Sequence, residues 1–266
     1  MNNVYKEQRS WFRRLGFMFA VVGVLALTSC SSVNSFLKAK PTTSTGFLAP
    51  RKSMNPHPGE TPFHYAGHSK SWEIHERANS KRRLYIAPVD TSRLRRIQRS
   101  FARASYKVTG KERPIEEMAN QVRLEFAQAF VDSVAPAYVL TDRPGNDSVT
   151  LELSLIELDP TSVSGNAARK VAGYFVSPLV TVASYGTTAG SIAIEGKVVC
   201  SDTQEVVFQF ADREGDRLSL FSVKDFQPYG FIDEIIEEWA DQFESFCRTP
   251  TYQEIRDSSW FTLNPF

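Results

Sequence analysis

The side chains that could do chemistry beyond packing are few: four His and three Cys in 266 residues. His57, His64, His68 and His75 all fall within nineteen residues, and neutral imidazole is a ligand that suits Zn, Cu and Ni. Their spacing matches no compact ligand set and no Cys lies nearby, so the segment reads as a solvated loop and no metal is expected. Residues 76–266 contain no His. A Ser-His-Asp or Cys-His arrangement is thereby excluded from the domain unless the His segment folds over it. The carboxylate pairs Glu116-Glu117 and Glu237-Glu238 sit on helix faces that read as solvated, and no G-x-x-x-x-G-K-[ST] phosphate loop is present. The expectation is a non-enzymatic protein without cofactor. A carboxylate-dependent hydrolase is the enzyme alternative.

One thiol has a chemical context of its own. Arg13 and Arg14 precede thirteen uncharged residues, Leu15 to Leu27, an apolar stretch of signal-peptide length and shorter than a bilayer span. It ends in Leu27-Thr28-Ser29-Cys30, which resembles a bacterial lipobox. That resemblance implies that small residues admit the lipoprotein signal peptidase and that Cys30 accepts a diacylglycerol as a thioether. The competing readings are an incidental Cys beside an ordinary cleavage site, and an uncleaved anchor helix. One acyl chain holds a membrane marginally, whereas two or three anchor stably. Ser31 rather than Asp after the Cys fits the outer membrane of a diderm bacterium, facing the periplasm, with the inner membrane or the cell surface left open.

An oxidising compartment gives meaning to the remaining thiols. By strand parity Cys200 shares the face of Ile192, Ile194 and Val198, and by helical spacing Cys247 shares that of Phe243 and Ile236. Both therefore point to a sheet–helix interface. A bridge between them is expected to contribute about 4 kcal/mol in the chain-entropy model; two buried free thiols are the alternative.

Two stretches suit contact with a surface. Arg93, Arg96, Arg99 and Arg103 line one side of a helix expected over Thr91–Lys107, where they could meet anionic lipid head groups at around 1 kcal/mol each or simply be solvated. Val171 to Tyr185 carries no charge. As a helix it places Val171, Phe175 and Leu179 on one side and Gly173, Ser177 and Thr181 on another, a small-every-fourth face that allows close backbone approach. It reads as a core segment, a contact with an envelope partner or a second copy, or a membrane contact. Nucleic acid is not expected as a partner, because 31 basic residues balance 30 acidic ones.

The elements that must position these groups follow from periodicity. The chain divides into a signal peptide (1–29), a lipidated Cys and Ser/Thr/Pro-rich tether (30–82), a domain (83–248) and a tail (249–266). With 42% apolar residues the domain can bury a core. Leu84–Val89 reads as a buried strand, and Pro114 opens a helix with Ile115, Met118, Ala119, Val122, Phe126 and Phe130 at 3.6-residue spacing. Ala137–Thr141 and Val149–Leu155 read as strands, 190–212 as a hairpin, and Ile232, Ile235, Ile236, Trp239, Phe243 and Cys247 as the stripe of a closing helix. The expected fold class is α+β: one mixed sheet of about five strands with helices packed on it. Gly46-Phe47-Leu48 interrupts the polar tether as a segment able to dock on the domain.

Gly46-Phe47-Leu48, Tyr85-Ile86-Ala87-Pro88-Val89, and Ala193-Ile194-Glu195-Gly196-Lys197-Val198-Val199 running into Ser201-Asp202-Thr203-Gln204-Glu205 together resemble the bacterial lipoproteins grouped as domain of unknown function 3313. Asp212-Arg213, Gly215 and Trp239-Ala240 agree, so the similarity spans roughly 45–248. The chain departs where the family tends to carry Asp at the start of the hairpin and Gly before the Glu; here Cys200 and Gln204 stand. The resemblance implies no activity. The role read from all of this is an envelope interaction module, with a subunit of an oligomeric membrane or secretion assembly as the alternative.

Overall fold

The computed structural model of the protein describes residues 45–58, 61–95, 115–159, 190–215, 218–219, 231–249, 255 and 261–262. In chain order, a 3-10 turn (Arg51–Ser53) leads into β1 (Met54–Pro56), β2 (Tyr65–Ser69), α1 (Trp72–Ser80) and β3 (Arg83–Ile86). Next come α2 (Ile115–Asp132), β4 (Val139–Thr141), β5 (Ser148–Asp159), β6 (Ser191–Cys200) and β7 (Val206–Gly215). The order closes with β8 (Leu218–Ser219), α3 (Ile232–Arg248) and β9 (Phe261–Thr262).

Seven strands form one mixed sheet in the order β1-β2-β7-β6-β5-β3-β4, and β8 pairs with β9 in a parallel two-stranded ladder. β3 runs parallel to β5 and β4, which requires a long crossover of the kind that carries α2. The remaining neighbours are antiparallel. Alternation decides what each face carries. Leu151, Leu153 and Leu155 of β5, Ile192 and Ile194 of β6 and Phe208 and Phe210 of β7 join one buried cluster with the stripes of α2 and α3. Phe243 is its centre, 5.3 Å from Phe210, 5.7 Å from Phe126 and 6.1 Å from Phe130 between ring centroids. Gly196 pairs with Phe210 and makes room for it, since a Cβ there would come within 2.3 Å of the ring.

The α+β class and the single mixed main sheet are as expected, but the strands number seven rather than five. The two extra ones, β1 and β2, come from residues assigned to the tether, and α1 follows them before Arg83. Among the described residues the folded part therefore already includes Thr45, well ahead of Arg83. The helix expected from Thr91 does not start there either. Ala87 and Asp90 donate backbone bonds to Leu151 and Leu153 at 3.0 and 2.9 Å, and Arg95 donates to Ile156 at 2.8 Å. β5 thus claims the backbone that a helix would need, and residues 91–95 form a turn. The rest of that expected helix lies outside the described residues. The tail is not wholly separate, because β9 belongs to it.

Candidate functional site

β7 places Asp212 and Glu214 on the face that packs against the helices, two residues apart and both buried. β2 brings His64 alongside: Tyr65 pairs with Ala211, so His64 lies one step further, opposite Asp212. Its backbone N–H donates to Asp212 Oδ1 at 3.2 Å and its ring Nδ1 touches the same oxygen. Trp239, fully buried on α3, donates its indole N–H to Asp212 Oδ2 at 2.6 Å. The Asp212 side chain is 1% exposed and that of His64 14%. One ligand atom each of His64, Asp212 and Glu214 lies within 4.8 Å of the other two. The condition attached to the missing domain histidine is met, because the His segment folds onto the sheet and delivers an imidazole to a buried carboxylate.

The other three imidazoles form an edge rather than a solvated loop. His57, His68 and His75 stand in series, with ring centroids 5.9 and 5.6 Å apart. Phe246 packs on His57 at 4.9 Å. Burial lowers the pKa of His57, and for His68 burial is reinforced by the neighbouring His75 and His57. Neither a solvated loop nor a compact ligand set describes this row.

The opposite face of the sheet is polar and strapped. Thr45 donates through its N–H and hydroxyl to Glu195 at 3.2 and 2.7 Å. Ala49 exchanges two bonds with the Gln209 amide at 2.9 and 3.1 Å, and that amide also donates to the Tyr65 hydroxyl at 2.9 Å. Phe47, from the segment expected to dock, lies under Lys197 and Arg93, 4.6 and 5.4 Å from its ring centre. Beyond the strap, Glu157 accepts from Arg213 Nε and Nη2 at 2.9 and 2.6 Å and from Ser191 at 2.6 Å. Burial pushes the Glu157 carboxyl up, yet these bonds outweigh it and hold the group below its ordinary value.

Of the residues singled out by sequence, Arg93 lies in a turn and not on an outward helix face. It pairs with Asp90 and covers Phe47, so its charge is engaged within the domain. Arg96, Arg99, Arg103, Val171, Gly173, Phe175, Ser177, Leu179, Thr181 and Cys30 lie outside the described residues. Cys200 and Cys247 do reach the same interface, but no disulfide joins them; both are free thiols. Periodicity fixes a face and not a distance, and a bridge needs Cα atoms within about 7 Å. Tyr138 lies near both thiols, and burial together with Cys247 and Cys200 pushes its phenol up to about 12. Burial also raises both thiol pKa values, as expected of packing cysteines rather than nucleophiles. The sequence reading missed Asp212, Glu214 and His64 as a set; its one usable signal was the restriction of imidazole to a single short segment.

A mixed sheet with helices on one face and an N-terminal strap on the other defines the class, an α+β single-sheet domain. Within it the chain belongs to the family described as "Protein of unknown function (DUF3313)", whose model matches residues 45–243. That match starts at Thr45, which bonds to Glu195 of the sheet. Among solved structures the chain is similar to the PelC dodecamer from Paraburkholderia phytofirmans, at 6% identity, TM-score 0.35, and 63% of this chain against 89% of that one. It is also similar to protein XCC0632 from Xanthomonas campestris (12%, TM-score 0.36, 64% and 86%). A third is the hypothetical protein CT253 from Chlamydia trachomatis (10%, TM-score 0.33, 63% and 98%). Likenesses this distant carry no argument about role. No curated protein matches the chain.

Proposed function

We propose that this protein is a lipid-anchored envelope protein, attached through Cys30 to the outer membrane of a diderm bacterium, whose α+β domain works as a non-enzymatic interaction module. One observation carries the reading: the uncharged run from Leu15 to Leu27 that closes on Leu27-Thr28-Ser29-Cys30. A thioether lipid can form only at a thiol, and this thiol is the one that follows an export signal. The interaction role draws support from the outer side of α2. Leu124 and Val131, seven residues apart and so on one helical face, are 67% and 65% exposed.

The experiment is metabolic labelling with a palmitate analogue, followed by mass spectrometry of the mature N-terminus. The expected product begins at Cys30 with lipid attached, and Cys30→Ala moves the protein from the membrane to the soluble fraction. A mature chain beginning elsewhere, or unlabelled protein, removes the proposal. Light scattering on the purified protein then separates the module from the assembly alternative, a ring-sized species favouring the latter.

A further inference from the structure

We propose that His64, Asp212 and Glu214 bind a divalent first-row transition-metal ion. One imidazole and two carboxylates suit Zn2+ and Mn2+. The inference goes beyond the anchoring role and does not depend on it.

Three features of the geometry carry it. First, the donors converge from separate parts of the chain: Asp212 and Glu214 share a face of β7, and His64 is brought in by the pairing of β2 with β7. Their ligand atoms lie within 4.8 Å of one another. Ion–ligand bonds of about 2.0–2.2 Å place neighbouring ligand atoms roughly 3.4 Å apart in a tetrahedral site. Donors already within 4.8 Å of one another need only small side-chain adjustments to close on one ion. Second, Asp212 is oriented from behind by the Trp239 indole N–H, the kind of outer contact that fixes a metal-ligating carboxylate. Third, the charge matches. Both carboxylates are buried on the helix-facing side, where a divalent ion brings the opposite charge, and the Trp239 N–H that holds Asp212 is a neutral donor. His64, the more exposed member, forms the outer wall through which an ion enters. The competing account makes the trio a hydrogen-bonded lock between β2 and β7, with no ion.

The test uses the purified full chain, stripped with chelator and equilibrated by dialysis against micromolar Zn2+, with Mn2+ in parallel. Bound metal is counted by elemental analysis, and thermal unfolding is followed with and without the ion. The expected result is one ion per chain, a raised Tm in its presence, and at least about tenfold weaker binding in Glu214→Gln, which preserves shape. His64→Gln, altered at the exposed wall, is expected to lose affinity likewise. Co2+ is expected to quench Trp239 fluorescence in the wild type and not in Glu214→Gln. His68→Gln tests the neighbouring imidazole row and is expected to leave stoichiometry at one. The proposal is overturned if the wild type retains no ion and its Tm does not move, or if binding survives Glu214→Gln and His64→Gln but is lost in His68→Gln.

Discussion

The two faces of the sheet are held by different physics. The helix face is a continuous apolar cluster around Phe243 and Trp239, where stabilisation scales with area removed from water. The strap face is joined by hydrogen bonds of Glu195 and Gln209 to a segment that precedes the sheet in sequence, and beyond that segment the Glu157–Arg213 pair ties β5 to β7. Such bonds are individually modest because water competes for the same groups. Their value is geometric, since those to the strap specify where it lies. His64, Asp212 and Glu214 lie on the helix face at its β2 edge, where apolar packing gives way to charge.

If this contrast is right, truncation on the helix face costs most. Trp239→Ala is expected to destabilise by about 3–5 kcal/mol, the range for large aromatics in cores, measured as a shift in urea midpoint. A loss below that of the strap variants would break the comparison. Glu157→Gln removes a charge-assisted pair and is expected to cost about 1.5–3 kcal/mol at pH 7. The folded state holds this carboxyl below its ordinary value, so its contribution is complete above the unfolded pKa near 4.3 and fades as pH falls through the folded one. Urea midpoints of wild type and variant are accordingly expected to converge in acid; a gap unchanged by pH would assign the loss to packing.

Gln209→Ala sharpens the contrast in another way. It removes three bonds at a cost of about 1–2 kcal/mol, and its main expected effect is local: faster protease cleavage within residues 45–53 with little change in the helices. The smallest effect lies in the turn between β6 and β7. Gln204 has φ of 60°, the left-handed region that favours glycine, at the position where the resembling family tends to carry Gly. Gln204→Gly is expected to stabilise by about 0.5–1 kcal/mol, the balance between relieved strain and added chain entropy, read as a small rise in Tm.

Legibility followed the same divide. α2, α3 and β5 to β7 could be read because their buried positions are apolar at regular spacing: Met118, Val122 and Phe126, or Leu151, Leu153 and Leu155. The β1–β2 edge could not. β2 turns Ala66 and His68 toward the helix side, and β1 has one buried residue, Met54, so no apolar alternation marks either strand. α1 buries only Ala78 and leaves Trp72 71% exposed. Asp212 and Glu214 share the strand parity of Phe208 and Phe210, but only the pairing of β2 with β7 brings His64 beside them. Cys200 and Cys247 were placed on the correct interface, yet shared facing says nothing of separation along it.

The clamp at Thr45 also sets a leash length. If Cys30 carries lipid, fifteen positions separate it from Thr45, the first described residue held on the sheet, a span of at most about 50 Å even at full stretch. Had folding begun at Arg83, the same limit would be near 180 Å. On that condition the domain stays in a thin layer above the membrane, and the partners open to it are those that reach into that layer.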